Sequence, residues 1–166
     1  MAQHIPKFIT FIQRFSMSSI FNEQDKKELL KRIEKLSPAN PSLWGKMSVS
    51  QMLTHNTKGI KMTSGELKPR RVPFPVNIIG RLIKNRVLAA GDLRKNAPTA
   101  PELTISDTRD FEQEKVKLIA AVNDVYTMGK TGIKPDLHPF FGKMTQKEWG
   151  ILTYKHLDHH LRQFGA

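Results

Sequence analysis

The sequence contains no cysteine, which excludes disulfide scaffolds, thiolate zinc sites, iron–sulfur clusters and cysteine nucleophiles. Such a composition fits a reducing compartment, and a cytoplasmic protein is expected. No run approaches the roughly eighteen apolar residues of a transmembrane helix, because charge or proline interrupts every apolar stretch. The chain reads as soluble, with no membrane partner. Strand-type alternation is nearly absent, as are internal repeats and low-complexity tracts. No serine nucleophile elbow and no calcium-binding loop pattern occurs. Gly129-Lys130-Thr131 resembles the end of a phosphate loop, but the first glycine of that motif would fall at Asp124, inside a helix. Acids are also scarce: 15 Asp and Glu against 27 Lys and Arg leave a net charge of +12. That imbalance raises nucleic acid or another polyanion as a partner.

What is present is an ordinary globular composition, 39% hydrophobic and 25% charged over 166 residues, which argues against disorder and fits one domain. A chain of this size buries about two-thirds of its unfolded surface and needs no metal to hold a core. A metal site here would therefore be functional.

Residues 1–18 combine Lys7 and Arg14 with Phe8, Ile9, Phe11, Ile12 and Phe15 and no acid; they read as an extension upstream of a single domain spanning 19–166. Asn22 is a good N-cap for a first helix whose apolar residues Leu29, Leu30, Ile33 and Leu36 recur until Ser37-Pro38. Ser48 and Gln51 offer a capping box for a second helix running to about Thr63, with Val49, Met52, Leu53 and Ile60 on its apolar face. Residues 65–101 form a long basic connection holding five prolines and one periodic piece, 76–90, expected to be a short helix. Asp107 or Thr108 is expected to cap a third long helix with Phe111, Val116, Leu118, Ile119, Val122 and Val125 buried, ending at Gly129 and Gly132. The segment 134–143 is expected to be a structured loop. Thr145 and Glu148 then cap a last helix that nearly reaches the C-terminus. Four principal helices imply an all-α four-helix bundle.

Three of the six histidines, His156, His159 and His160, lie within five positions of the last helix. His156 and His160 stand about 40° apart, within the stripe drawn by Trp149, Leu152, Leu157 and Phe164, so both should face the core. His159 falls at the edge, where solvent or a rim hydrogen bond is expected. Imidazoles at i and i+4 point from successive turns toward one place, as helical metal sites require. On the second helix His55 shares a stripe with Met52, Gly59 and Met62, and a bundle can bring that stripe against the last helix. Three neutral imidazoles would leave a divalent ion its full charge and an open position, the pattern of a catalytic site. A hydrogen-bonded histidine pair with no metal explains the same spacing, and the residues alone leave both readings open.

The segments Leu53-Thr54-His55, His138-Pro139-Phe140-Phe141-Gly142-Lys143 and 154–164 resemble an uncharacterised branch of the DinB-like (YfiT-like) superfamily of metalloenzymes, over about residues 19–166. The resemblance implies an up-down-down-up four-helix bundle with one ligating histidine on the second helix and two, four apart, on the last. His55, His156 and His160 match those positions. The superfamily includes thiol-dependent transferases and a hydrolase-like group. The extension and the proline-rich basic middle, with its short extra helix, depart from the common pattern.

Gln163, one turn beyond His160, is placed either to orient a ligand imidazole through its free nitrogen or to make a simple polar contact at the helix end. His138 would be a general acid or base if its loop covers the metal, though a surface histidine is the simpler expectation. Asp158 and Arg162 face away from the apolar stripe, as a solvated face would. Between Lys68 and Lys95 stand eight basic residues and one acid, Asp92, but Phe74 alone offers a ring for base stacking. An anionic substrate drawn to a cationic site accounts for the same charge. The sequence therefore points to a metal-dependent hydrolase or transferase of a small molecule, with zinc or nickel on His55, His156 and His160. The alternative is a basic polyanion- or nucleic-acid-binding protein with structural histidines. A homodimer is compatible with either.

Overall fold

The computed structural model describes residues 17–133 and 137–166, so the expected extension falls, but for Met17 and Ser18, outside the described residues. The architecture is mostly helical. Its elements in chain order are α1 (Glu23–Lys35), α2 (Val49–Ser64), α3 (Val76–Ala89), a 3₁₀ turn (Pro101–Leu103), α4 (Phe111–Gly132), β1 (Leu137–His138), β2 (Gly142–Lys143) and α5 (Gln146–Gln163). No helix among the described residues is long and apolar enough to cross a membrane.

Local chemistry sets most boundaries. Asn22 accepts from the Asp25 amide to open α1, and the reciprocal boxes Ser48–Gln51 and Thr145–Glu148 open α2 and α5. The cap of α4 differs from expectation: Asp110 accepts from the Gln113 amide, whereas Asp107 is held by Arg109 at 2.8 Å. Gly129 adopts φ 66° and kinks the end of α4, a conformation that glycine reaches without the steric penalty a Cβ would bring. Val116 is 66% exposed and not part of the buried face. It lies two residues, about 200°, from Leu118, which points it away from the core.

The core runs between the four long helices, where Leu29, Ile33, Met52, Leu53, Leu118, Val122, Leu157 and Leu161 are buried together. Successive contacts give the helix directions. Thr63 bonds Thr153 at 2.8 Å while Gly59 faces His156, so α2 and α5 run antiparallel. Ile20 bonds Gly150 and Arg32 reaches Asp158, so α1 and α5 run parallel. Lys115 donates to the carbonyl of Glu34 while Lys26 sits over the Tyr126 ring, so α1 and α4 are antiparallel.

Two smaller elements close one end. β1 and β2 pair antiparallel around Pro139–Phe141, a ladder too short for periodicity to reveal. Helix α3 docks beside them through Gly80, where a Cβ would lie 2.0 Å from the Phe140 carbonyl oxygen. Lys84 pairs with Glu148 at 2.7 Å. Lys155 donates to the carbonyls of Val87, Leu88 and Ala90, placing a cation on the negative end of α3.

Candidate metal centre

The facing turns of α2 and α5 bring His55, His156 and His160 together, with one nitrogen of each lying within 4.8 Å of the others. It is the one such cluster of potential ligands among the described residues. The rings form a nearly equilateral triangle, with centroid separations of 4.9, 4.7 and 4.7 Å. His55 Nε2 and His156 Nε2 are 3.0 Å apart. Two nitrogens bound to one tetrahedral ion at about 2.0–2.1 Å would be separated by about 3.4 Å, so this pair needs only a small outward shift to share one.

Outer partners fix two of the three rings. His55 Nδ1 lies 2.8 Å from the Leu103 carbonyl oxygen; a carbonyl only accepts, so Nδ1 carries the proton and Nε2 keeps its lone pair. The 3₁₀ turn at Pro101–Leu103, within the long connection, supplies that carbonyl. At His160, Nδ1 lies 2.7 Å from Gln163 Oε1, and Gln163 Nε2 donates to the Trp44 carbonyl at 2.5 Å. The second bond fixes which end of the amide faces the imidazole, so His160 Nδ1 donates and its Nε2 is free. Gln163 therefore holds the His160 ring through this bond.

Burial favours the neutral form of all three imidazoles. Burial, followed by the neighbouring histidines, holds His156 well below the ordinary histidine value and His160 down to about 3. Burial and the nearby Lys58 depress His55, against the opposing effect of its bond to Leu103. Protons therefore compete weakly for the three lone pairs, and the donor set fits a divalent ion of intermediate softness. His55 and His160 are buried and His156 is half-buried. Gly59 makes room for that third ring: a Cβ there would lie 3.1 Å from His156 Nδ1.

Two histidines differ from expectation. His159 is buried, not at a solvent-facing rim, because Trp44 from the α1–α2 connection lies over it at 5.4 Å. His138 is buried as well, packed against Phe141 and Trp149. Its Nδ1 accepts from the amides of Phe140 and Phe141 at 3.1 Å each, so it staples the hairpin and stands outside the three-histidine cluster. Asp158 and Arg162 form a linked network with Arg32 and Asp92 instead of a merely solvated face. Two residues near the centre gave no sequence signal. Trp44 acts through its carbonyl, and buried Glu114 on α4 accepts from Thr54, the neighbour of His55. Burial raises the Glu114 carboxyl, but Lys117 and Thr54 outweigh it and hold it below its ordinary value.

A family model described as "protein of unknown function (DUF1569)" matches residues 17–166. No curated protein and no solved structure matches the chain.

Proposed function

The chain belongs to the DUF1569 family of proteins of unknown function, and from its site we propose that it binds one divalent metal ion through His55, His156 and His160 and acts as a metal-dependent hydrolase or transferase of a small molecule. One observation carries the reading: two of the three rings have Nδ1 committed to carbonyl oxygens, which leaves their Nε2 lone pairs for the centre of the cluster. Zinc and nickel suit three neutral imidazoles, and the absence of a thiolate disfavours a closed structural zinc site. A bound ion with an open position would polarise the electrophilic group of a substrate. The chain's own residues hold the geometry: Leu103 and Gln163 aim the rings, and Trp44 and His159 close one flank.

The helix directions support an up-down-down-up four-helix bundle of the DinB-like kind, with α3 as an extra helix in the middle connection. In that arrangement the second long helix contributes one ligand and the last contributes two. An anionic substrate is supported by a cavity of about 180 Å³ between the end of α2, the basic connection and the hairpin. Lys68, Arg71 and Trp149 line it, and the buried indole N–H of Trp149 has no partner. Met62 and Trp149 on its wall stand seven residues, about 10 Å along their helices, from His55 and His156.

The second reading, a polyanion-binding protein with structural histidines, draws on the 3.0 Å contact between His55 and His156, which a simple hydrogen bond explains. Elemental analysis of untagged protein separates the two. The expected result is one zinc or nickel per chain, lost in His55→Ala, His156→Ala or His160→Ala while the helical circular dichroism persists. Wild-type protein that takes up no metal on reconstitution, or His156→Ala that keeps full occupancy, would sink the metal reading.

A further inference from the structure

Helix α3 turns apolar residues outward. Nine large apolar residues are exposed among the described residues, and six of them lie between Phe74 and Ile83. Phe74 is 76% exposed, Leu82 77% and Ile79 51%, with Val76, Ile78 and Ile83 beside them. At 100° per residue Ile78, Leu82, Ile79, Ile83 and Val76 share one arc about 160° wide, on the side opposite buried Gly80 and Leu88. This face is not the leftover of a loosely placed helix. Gly80 against Phe140, the Lys84–Glu148 ion pair and the Lys155 cap fasten the inner side of α3 to the hairpin and α5.

The charge around this face identifies what covers it. Exposed Arg86 lies on the same side of the helix as this arc, one turn beyond Leu82 and Ile83, and exposed Arg70 and Arg94 precede and follow the helix, whereas Arg81 lies on the opposite side against Gly142 and Lys95 sits over the Trp44 ring. The lone acid between Lys68 and Lys95, Asp92, is paired with Arg162. A second copy docked through the same patch by two-fold symmetry would bring like charges, Arg86 among them, together with no acid on the patch to pair them. Residues 1–16 carry Lys7 and Arg14 and no acid, so they too lack the complementary charge. A helix with a broad apolar face, arginine at its C-terminal end and no unpaired acid in the flanking segments matches the interface of an anionic bilayer, where rings and aliphatic chains enter the acyl boundary and guanidinium groups meet phosphates. We propose that the outward face of α3, from Phe74 to Ile83 with its flanking arginines, docks the protein on anionic lipid surfaces. The absence of a spanning helix does not bear on this, because an interfacial helix lies in the plane of the bilayer. The inference is independent of the metal reading.

Flotation of the full chain with vesicles tests it, using phosphatidylcholine alone and phosphatidylcholine mixed with phosphatidylglycerol. Binding to the mixed vesicles should be at least about tenfold stronger and should weaken as salt is raised. The double variant Ile79→Ser/Leu82→Ser should lose at least about tenfold of that binding. Val116→Ser, which removes an exposed apolar group on α4, should leave it unchanged. Helical circular dichroism and the melting temperature of both variants verify that the fold persists. Equal or absent binding to the two vesicle types, or full binding by the double variant, would overturn the proposal. Sedimentation equilibrium supplies the other overturning result, a dimer that the double variant returns to monomer, which would assign the face to a second copy.

Discussion

Gln163 Oε1 lies 2.7 Å from His160 Nδ1, and the same amide reaches the Trp44 carbonyl through its nitrogen. The side chain is thus fixed at both ends and can present only an acceptor to the imidazole. Gln163→Leu should release the His160 ring and weaken metal affinity by about 10- to 100-fold, as loss of such an orienting partner generally does. Competition against a chelator of known affinity measures the change. Unaltered affinity would show that packing against His159 suffices to aim the ring.

At Gly59 stability and metal binding should separate. Alanine there favours α2 by up to about 1 kcal/mol relative to glycine. Its Cβ, however, would stand 3.1 Å from Nδ1 and 3.2 Å from Cε1 of His156, so the ring must move by a few tenths of an ångström. Gly59→Ala should therefore melt no lower than wild type while binding metal more weakly. A lower melting temperature with unchanged metal affinity would contradict this account of the glycine.

What the sequence made legible was local. Asn22, Ser48 and Thr145 cap their helices because each bond spans only three residues, and the i,i+4 spacing of His156 and His160 sets their common face. His55 could be matched to them because the facing stripe was already visible on α2. Apart from the α4 cap and Val116, the departures concern features settled by distant chain. His159 is covered by Trp44 from a connection with no periodicity, and Leu103, which fixes the His55 tautomer, comes from a proline-flanked turn. His138 looked like a surface residue because a two-residue ladder leaves no alternation to read. The outward apolar face of α3 was invisible for another reason: periodicity marks an apolar face but not the side on which the core lies.

Acid should destabilise the fold through the buried histidines. His138 is held down to about 4 by burial alone, while an unfolded histidine titrates near 6.5. Below that value the unfolded chain takes up a proton that the folded chain refuses. The contribution is therefore intact above about pH 6.5 and is lost progressively toward pH 4, by up to roughly 3 kcal/mol for this group. His138→Asn keeps an acceptor near the position of Nδ1 for the Phe140 and Phe141 amides but cannot titrate. Its melting temperature should fall less than that of the wild type between pH 7 and pH 4.5. Parallel curves would show that His138 takes up its proton at an ordinary pKa.

Asp158 joins α1 to α5, and its removal should affect stability without affecting metal. Arg32 donates to its carboxylate at 2.8 Å and to the C-terminal Ala166 oxygen at 3.0 Å; Arg162 approaches the other carboxylate oxygen at 2.8 Å and reaches Asp92 at 2.6 Å. The Arg32 and Asp158 side chains are only 14% and 20% exposed, so water screens their pairing less than that of a surface pair. Asp158→Asn keeps the shape and leaves the Arg32 guanidinium without its counter-charge. We expect a loss on the order of 1–2 kcal/mol, a drop of several degrees in melting temperature, because an unpaired, partly buried cation costs more than the pair gained. Arg162 is 41% exposed and reorients toward water, which keeps the loss below that of a fully buried network. A double-mutant cycle with Arg32→Gln isolates the pair, and its coupling should account for most of the loss. Metal content should remain that of the wild type, because none of these groups touches the three imidazoles. Additive single substitutions would reduce Asp158 to an ordinary surface charge, and parallel loss of metal would show that the α1–α5 tie also sets the spacing of His156 and His160.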